Sequence, residues 1–329
     1  MSQVHFQALV CGSFFNEDDI SNSPTFNRDL KEVARMNPYA NILPGANAEL
    51  SIAGSNPKYN STTIDGVGVN DDFGLNSNGY PTQRSPISLD AIEQISVDVA
   101  PFDAAEGNFS GGRINAVTKS GTNEFKGSFA YEKMSDDWAG RPRTPGTRTS
   151  NGLDFERETY SFTLGGPLIK DTLLGRIALH THRSDGYMDN DFLDRDNTQN
   201  QDELTARGHL KWLVNNDLTI DLNLLHLNID NGYDAFTLDN SRNSLSDQPG
   251  KDKQHTNAFA LKTDWRANSK VQLQSTLTYS KSDLEYSYDD DWSFMGQFDP
   301  SLGPYSGFDQ YKRERENYSF EFRALSNED

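Results

Sequence analysis

Residues 95–129 read ISVDVAPFDAAEGNFSGGRINAVTKSGTNEFKGSF, and the change of pattern inside this stretch decides the fold. Ile95, Val97 and Val99 alternate with Ser96 and Asp98, the period of a half-buried strand. A cluster of small residues comes next at Gly107, Ser110, Gly111 and Gly112, and then a second short strand over 114–118. Lys119-Ser120-Gly121-Thr122-Asn123 makes a polar turn. From Phe125 a different kind of strand begins. Residues upstream of the stretch read as a small mixed domain, and residues downstream of it read as one long antiparallel meander.

Downstream of Asn123 the apolar residues fall on every second position. Phe125, Gly127, Phe129 and Tyr131 share a face, as do Tyr160, Phe162 and Leu164. The same alternation recurs over 173–179, 204–214, 218–224, 259–265, 271–279 and 318–324. The opposite positions are polar, as in Gln272, Gln274, Thr276 and Thr278. Apolar-out, polar-in alternation over roughly ten residues is the mark of a transmembrane β-strand. The connections obey a rule of their own. Residues 165–171, 215–217 and 267–270 are short links, and 135–158, 184–202, 230–254 and 289–313 are long ones, in strict alternation. A sandwich has no reason for that rule, whereas an outer-membrane barrel has short periplasmic turns and long external loops. Trp212 and Trp265 lie beside short turns, where an interfacial aromatic girdle belongs. After Leu224 the apolar phase slips to Leu225, Leu227 and Ile229, which predicts either a β-bulge or a strand that rises above the membrane there.

Upstream, residues 1–23 show no clear period and 1–24 are left unassigned. Apolar residues at 26, 30, 33 and 34 predict a helix over 26–36 with Thr25 as its cap, ended by Asn37-Pro38. Residues 48–54 alternate as a strand, and 61–67 read as a strand running into a turn at Asp65-Gly66. The Gly, Asn and Asp content of 68–81 predicts a loop, and 88–95 a helical turn feeding the strand at 95–99. The expected division is 25–123 as a small α+β domain and 124–329 as barrel strands.

Composition fits a barrel better than a soluble core. Only 34% of the 329 residues are hydrophobic, yet 19 Phe, 13 Tyr and 4 Trp are far too many for a disordered chain. A barrel needs only alternate strand positions to be apolar. The formal charge of −19 opposes nucleic-acid binding, which requires phosphates to be neutralised. The single cysteine, Cys11, has no partner for an internal disulfide. No run of 18 apolar residues is present for a membrane helix, and the absence of Lys or Arg before Arg28 argues against a signal peptide.

Nothing in the chain spells a catalytic constellation, a cofactor or a metal site. His180 and His182 share a strand face but lack an evident third ligand. Asp185, Asp189, Asp191, Asp194 and Asp196 do not match calcium-loop spacing, and Asp289-Asp290-Asp291 is a similar acidic run. Gly107, Gly111 and Gly112 miss the phosphate-loop spacing and suit close backbone approach instead. Arg113 is a candidate for an ion pair with a luminal carboxylate.

The chain resembles the TonB-dependent outer-membrane receptors. The residues that carry the resemblance are 106–115 (EGNFSGGRIN), 117–127 (VTKSGTNEFKG) and the turn 165–171 (GGPLIKD). Asp65-Gly66-Val67 with Asn70-Asp71-Asp72-Phe73-Gly74 is similar to the plug of the large receptors that carry an N-terminal carboxypeptidase-regulatory-like domain. The resemblance implies an α+β plug inside a transmembrane antiparallel β-barrel, of which this chain supplies about 8 of some 22 strands. It implies a cell outer membrane location among lipid and lipopolysaccharide, and uptake of a scarce siderophore, saccharide or peptide ligand powered through TonB and its inner-membrane complex. It makes Asp71, Asp72, Phe73, Asn76 and Tyr80 candidates for a ligand-facing plug apex. Gly107, Ser110, Gly111, Gly112, Arg113, Asn115, Thr118, Lys119 and Gly121 become the motif joining plug to barrel. The chain departs from the family pattern in lacking a signal peptide, a TonB-contacting segment and a terminal aromatic strand. Eight strands enclose no room for such a plug, so a longer receptor is expected. The alternative is a soluble or surface all-β carbohydrate-binding or adhesion protein.

Overall fold

The fold is given by a computed structural model that describes residues 12–25, 28–43, 49–71, 79–80, 85, 87–99, 111–138, 155–239, 241–298, 301 and 303–326. The first body contains strands β1 (Gly12–Asn16), β2 (Ala40–Ile42), β3 (Leu50–Ile52), β4 (Ser61–Ile64), β5 (Val67–Gly68), β6 (Ile92–Asp98) and β7 (Arg113–Thr118), with helices α1 (Glu17–Ser21) and α2 (Leu30–Ala34). Its main sheet runs β1-β6-β7-β4-β5, and β4 pairs parallel with β7. The alternating Ile95 and Val97 therefore sit on a central strand. They are buried with Ile20, Leu30, Val33, Ile52, Ile64, Ile92 and Ile114 in one apolar core.

Two expectations about this body need correction. The segment without a period contributes β1, which pairs with β6, and α1, whose cap is the Asn16 side chain. Elements of five residues are too short to show a period. The helix expected over 26–36 is only Leu30–Ala34, and its cap is Asp29 rather than Thr25. The Asp29 carboxylate accepts from the Lys31 N–H at 2.8 Å, and Glu32 reaches back to complete a capping box. Arg28 takes a left-handed φ of 52°, which a helix cannot pass through. Phe26 lies outside the described residues.

The second body is one antiparallel sheet. Its strands are β8 (Lys126–Ser135), β9 (Glu156–Ile169), β10 (Leu173–Ser184), β12 (Gln201–Asn215), β13 (Leu218–Tyr233), β15 (Gly250–Arg266), β16 (Val271–Asp289) and β17 (Phe308–Ser326). They lie side by side in chain order. The two-residue strands β11 (Asp189–Asn190) and β14 (Asn243–Ser244) pair within the long loops. The links alternate between short and long as the sequence requires. The outer face carries Phe129 at 67% and Phe320 at 70% exposure, with Tyr160, Leu179, Leu210, Trp212, Leu224, Trp265 and Leu277 between them. No second sheet covers this face among the described residues. An uncovered apolar face of this extent suits lipid and not water.

The phase slip in β13 is not a bulge. Its register against β12 and β15 runs unbroken from Ile220 to Ile229. Leu225, Leu227 and Ile229 simply occupy the inner face and are buried there. The outward positions become His226, Asn228 and Asp230, so this part of the strand has a polar outside and an apolar inside. The first body supplies the inner partner: Val67 packs with Leu225, Leu227, Ala258 and Ala260.

Candidate functional site

The site is the seam between the small domain and the inner face of the large sheet. The hairpin β4–β5 drives into it. Asp65 and Gly66 form its turn with φ of 52° and 90°, the left-handed pair that a tight hairpin of this twist needs. This turn aims the Asp65 carboxylate at the wall. Asp65 accepts from the Thr118 N–H at 2.9 Å and the Thr118 hydroxyl at 2.7 Å, and from Arg207 of β12. The same Arg207 nitrogen also reaches the Thr118 hydroxyl at 3.3 Å. The side chains of Asp65 and Arg207 are only 6% and 7% exposed. A buried charge pair of this kind depends on both partners, because either one alone would be stranded in a poorly solvating environment.

Further contacts cross the same seam. Arg28 bridges Asp90 at 2.7 Å and Glu132 of β8 at 3.2 Å. Arg313 of β17 reaches the Asp71 carboxylate at 3.1 Å, and Arg315 donates to the Asn70 carbonyl at 2.7 Å. At the hinge, Asn123 and Asp171 exchange two hydrogen bonds of 2.8 Å, Asn123 Nδ2 to the carboxylate and the Asp171 N–H to Asn123 Oδ1. This joins the 117–127 motif to the 165–171 turn. A Cβ on Gly121 would come within 2.5 Å of the Gly175 carbonyl oxygen on β10, so glycine is required for the backbones to approach this closely.

The rest of the joining motif serves the small domain internally. A Cβ on Gly112 would strike Ile52 at 2.5 Å, and one on Gly111 would strike Asn60 at 2.8 Å. Asn115 accepts from the Thr63 hydroxyl at 2.8 Å. Lys119 bridges Glu17 at 2.7 Å. Arg113 stands opposite Asp98 within the domain's own sheet. Burial pushes the Asp98 carboxyl above its ordinary range, and Arg113 only partly offsets this. Gly107 and Ser110 lie outside the described residues.

The candidate apex residues divide. Asp72, Phe73 and Asn76 lie outside the described residues. Asp71 is taken up by Arg313. Tyr80 is 2% exposed, packs its ring over the Lys31 ammonium and donates its hydroxyl to Asp29 at 3.2 Å, so it belongs to the domain interior rather than to a ligand face. Burial, and then the Asp29 carboxylate, push its phenol well above the ordinary value. Sequence reasoning missed Arg207, Arg313 and Arg315. Their one signal is a cation on the inner phase of a strand, which any solvated lumen would also allow. His182 is buried between Thr159 and Gln201, and His180 meets Ser161. Among the described residues no group of three His, Cys, Asp or Glu side chains is placed to hold a metal.

A folded domain thus lies across the inner face of a sheet whose outer face is apolar, and residues 13–112 match the TonB-dependent Receptor Plug Domain family. The chain carries the plug domain of the TonB-dependent receptors. The small domain is the plug, the sheet is part of the barrel, and the receptor's place is the outer membrane. The TonB-dependent transporter Oar of Myxococcus xanthus is 33% identical over 152 residues, which is 41% of this chain and 13% of Oar. The probable TonB-dependent siderophore receptor PirA of Acinetobacter baumannii is 24% identical over 299 residues, 82% of this chain and 37% of PirA. The solved structure of that PirA aligns with a TM-score of 0.68 at 19% identity, covering 96% of this chain and 45% of the other. The outer membrane transporter YddB of Escherichia coli aligns with a TM-score of 0.70 at 15% identity, covering 95% and 45%. The chain therefore spans less than half the length of these relatives.

Proposed function

We propose that the receptor carries a scarce extracellular ligand of the siderophore, saccharide or peptide class across the outer membrane. The energy is delivered through TonB and its inner-membrane complex, and the receptor performs no chemistry on its cargo. The observation that carries this reading is the character of the seam. Among the described residues the plug meets the wall through polar anchors, Asp65–Arg207, Arg28–Glu132 and Asp71–Arg313, and through small apolar contacts at Val67 and Ala178. Hydrogen-bonded ion pairs can exchange with water as they separate, so such an interface can be parted by a pull without exposing a large dry core. The proposed plug begins at Gly12 and ends near Asn123, with barrel strands beyond it. Of the apex residues, Asp72, Phe73 and Asn76 are those proposed to face the ligand. Lipid and lipopolysaccharide are the expected surroundings of the outward face. Expression of the full-length gene in a Gram-negative host, with and without a working TonB, tests the reading. Outer-membrane recovery and ligand accumulation that vanishes without TonB are expected. Recovery as a detergent-independent soluble protein, or uptake indifferent to TonB, sinks it.

A further inference from the structure

Toward the long-loop end, beyond the Arg313–Asp71 contact, the inner face carries a chain of aromatic rings. Tyr286 stands opposite Tyr311, and Tyr288 opposite Asp309, on the face from which Arg313 reaches the plug. Tyr286 lies 6.3 Å from Tyr311, 5.0 Å from Tyr233 and 5.8 Å from Tyr288, centroid to centroid. Phe236 continues the chain at 5.7 Å from Tyr288 and stacks on Trp292 at 5.2 Å with 15° between planes. These separations all fall in the range of favourable ring contact, so the rings brace one another as a wall. Its two ends stay open, with Trp292 39% and Tyr311 40% exposed.

The wall is built rather than incidental. Trp292 holds a left-handed φ of 59°, an unusual conformation for a bulky side chain. Asp289 maintains it by accepting the N–H of Trp292 at 3.0 Å and of Asp291 at 3.1 Å, and Ser246 donates to the same carboxylate at 2.6 Å. Asp234 ties the neighbouring loops by accepting from Ser244 at 2.6 Å and Asn190 at 2.9 Å. An exposed ring kept in a strained conformation by buried hydrogen bonds points to a role beyond packing.

The polar groups among the rings select the ligand. Asp309 accepts from the hydroxyls of Tyr288 and Tyr311 at 3.2 and 3.1 Å, and Asp252 is buried opposite Tyr286. On the same face of β17, Arg313 and Arg315 are engaged by the Asp71 carboxylate and the Asn70 carbonyl of the plug. The wall therefore offers ring faces, phenols and carboxylates. An anionic metal chelate would be repelled there. A neutral sugar fits, since its C–H faces stack on aromatic rings and its hydroxyls donate to carboxylate and phenol oxygens.

We propose that the wall of Tyr233, Phe236, Tyr286, Tyr288, Trp292 and Tyr311 is the barrel-side half of a binding site for a neutral oligosaccharide, an assignment that rests on the transport reading above. The test titrates the purified full-length receptor with an array of neutral linear oligosaccharides and, separately, with ferric enterobactin, monitored by calorimetry and tryptophan fluorescence. At least one oligosaccharide should bind and alter Trp292 emission. Trp292→Ala and Tyr311→Ala should each weaken that binding by about tenfold or more. Trp138→Ala, at an exposed position beyond β8, should leave it unchanged, and heat-dependent migration on gels should show that all three variants are folded. Failure of every oligosaccharide to bind, affinity indifferent to both variants, or ferric enterobactin binding that depends on Trp292 and Tyr311 would overturn the proposal. Because the assay needs no TonB, a sugar that binds but is never imported would sink the transport reading and leave this site standing.

Discussion

Arg207 and Asp65 form an ion pair across the seam with both side chains buried. Arg207→Ala leaves the Asp65 carboxylate buried against Thr118 without its cation, and loss of one partner of such a pair costs about 3–5 kcal/mol. The expected result is a plug that unfolds at lower urea, with faster hydrogen exchange at the Thr118 amide. Asp65→Asn should also be destabilising: asparagine tolerates the left-handed turn and its one amide oxygen can keep the Thr118 N–H bond, but the amide nitrogen cannot accept from the Thr118 hydroxyl or from Arg207, whose guanidinium is left buried without its anion. A second residue-scale prediction concerns pH. Burial pulls the Lys31 ammonium below its ordinary value of 10.5. The folded plug then binds fewer protons than the unfolded chain between that lowered value and 10.5, so this residue's contribution to stability rises with pH across the window. Lys31→Met should therefore stabilise the plug at pH 7, with the advantage shrinking as pH climbs toward 10.5. Urea unfolding of both proteins at several pH values reads this directly, and a constant difference would contradict it.

At the scale of an element, β13 is the instructive strand. Its two faces exchange character at Leu224 and Leu225, because lipid ends on one side where the plug begins on the other. Leu227→Ala should remove about 2–5 kcal/mol from plug docking, since its side chain lies in the patch with Val67. Leu224→Ala, one turn of the pleat away and facing outward, should leave plug protection unchanged. Limited proteolysis of the two variants in detergent separates these outcomes. The alternation of Leu218–Leu224 is legible in the sequence, but the meaning of its continuation at Leu225 is not. A period counts which residues are apolar and is silent on which partner they meet, so the slip leaves a bulge and a strand rising above the membrane both open. Helix α2 misreads for a related reason. Its apolar spacing is right, but the left-handed Arg28 that shortens it also bridges Asp90 and Glu132, contacts distant in sequence.

At the scale of the whole molecule, the wall divides into a lipid belt and an external collar. Phe320→Arg places a cation on the outward face within the belt and should cost about 2–4 kcal/mol of barrel stability if near mid-depth. His226→Arg, where the outward face has already turned polar, should cost close to nothing. Folding of the full-length receptor into lipid vesicles at graded urea would measure both, and equal costs would erase the boundary between belt and collar.

The chain's own pattern was enough to determine the eight barrel strands, the alternation of short and long links, a small mixed domain upstream and the passage between them at 95–129. All of these come from local rules: period-2 burial, turn chemistry, and glycine where backbones crowd. The seam had to wait for the tertiary structure. Asp65 lies 142 residues from Arg207, and Asp71 lies 242 from Arg313. Sequence spacing carries no record of such pairs, because a cation on the inner phase of a strand looks the same whether it meets water or a plug. The 95–129 stretch shows the same division. Its glycines announced close approach, and only the folded chain decided that Gly121 meets the wall at Gly175 while Gly112 meets Ile52 inside the plug.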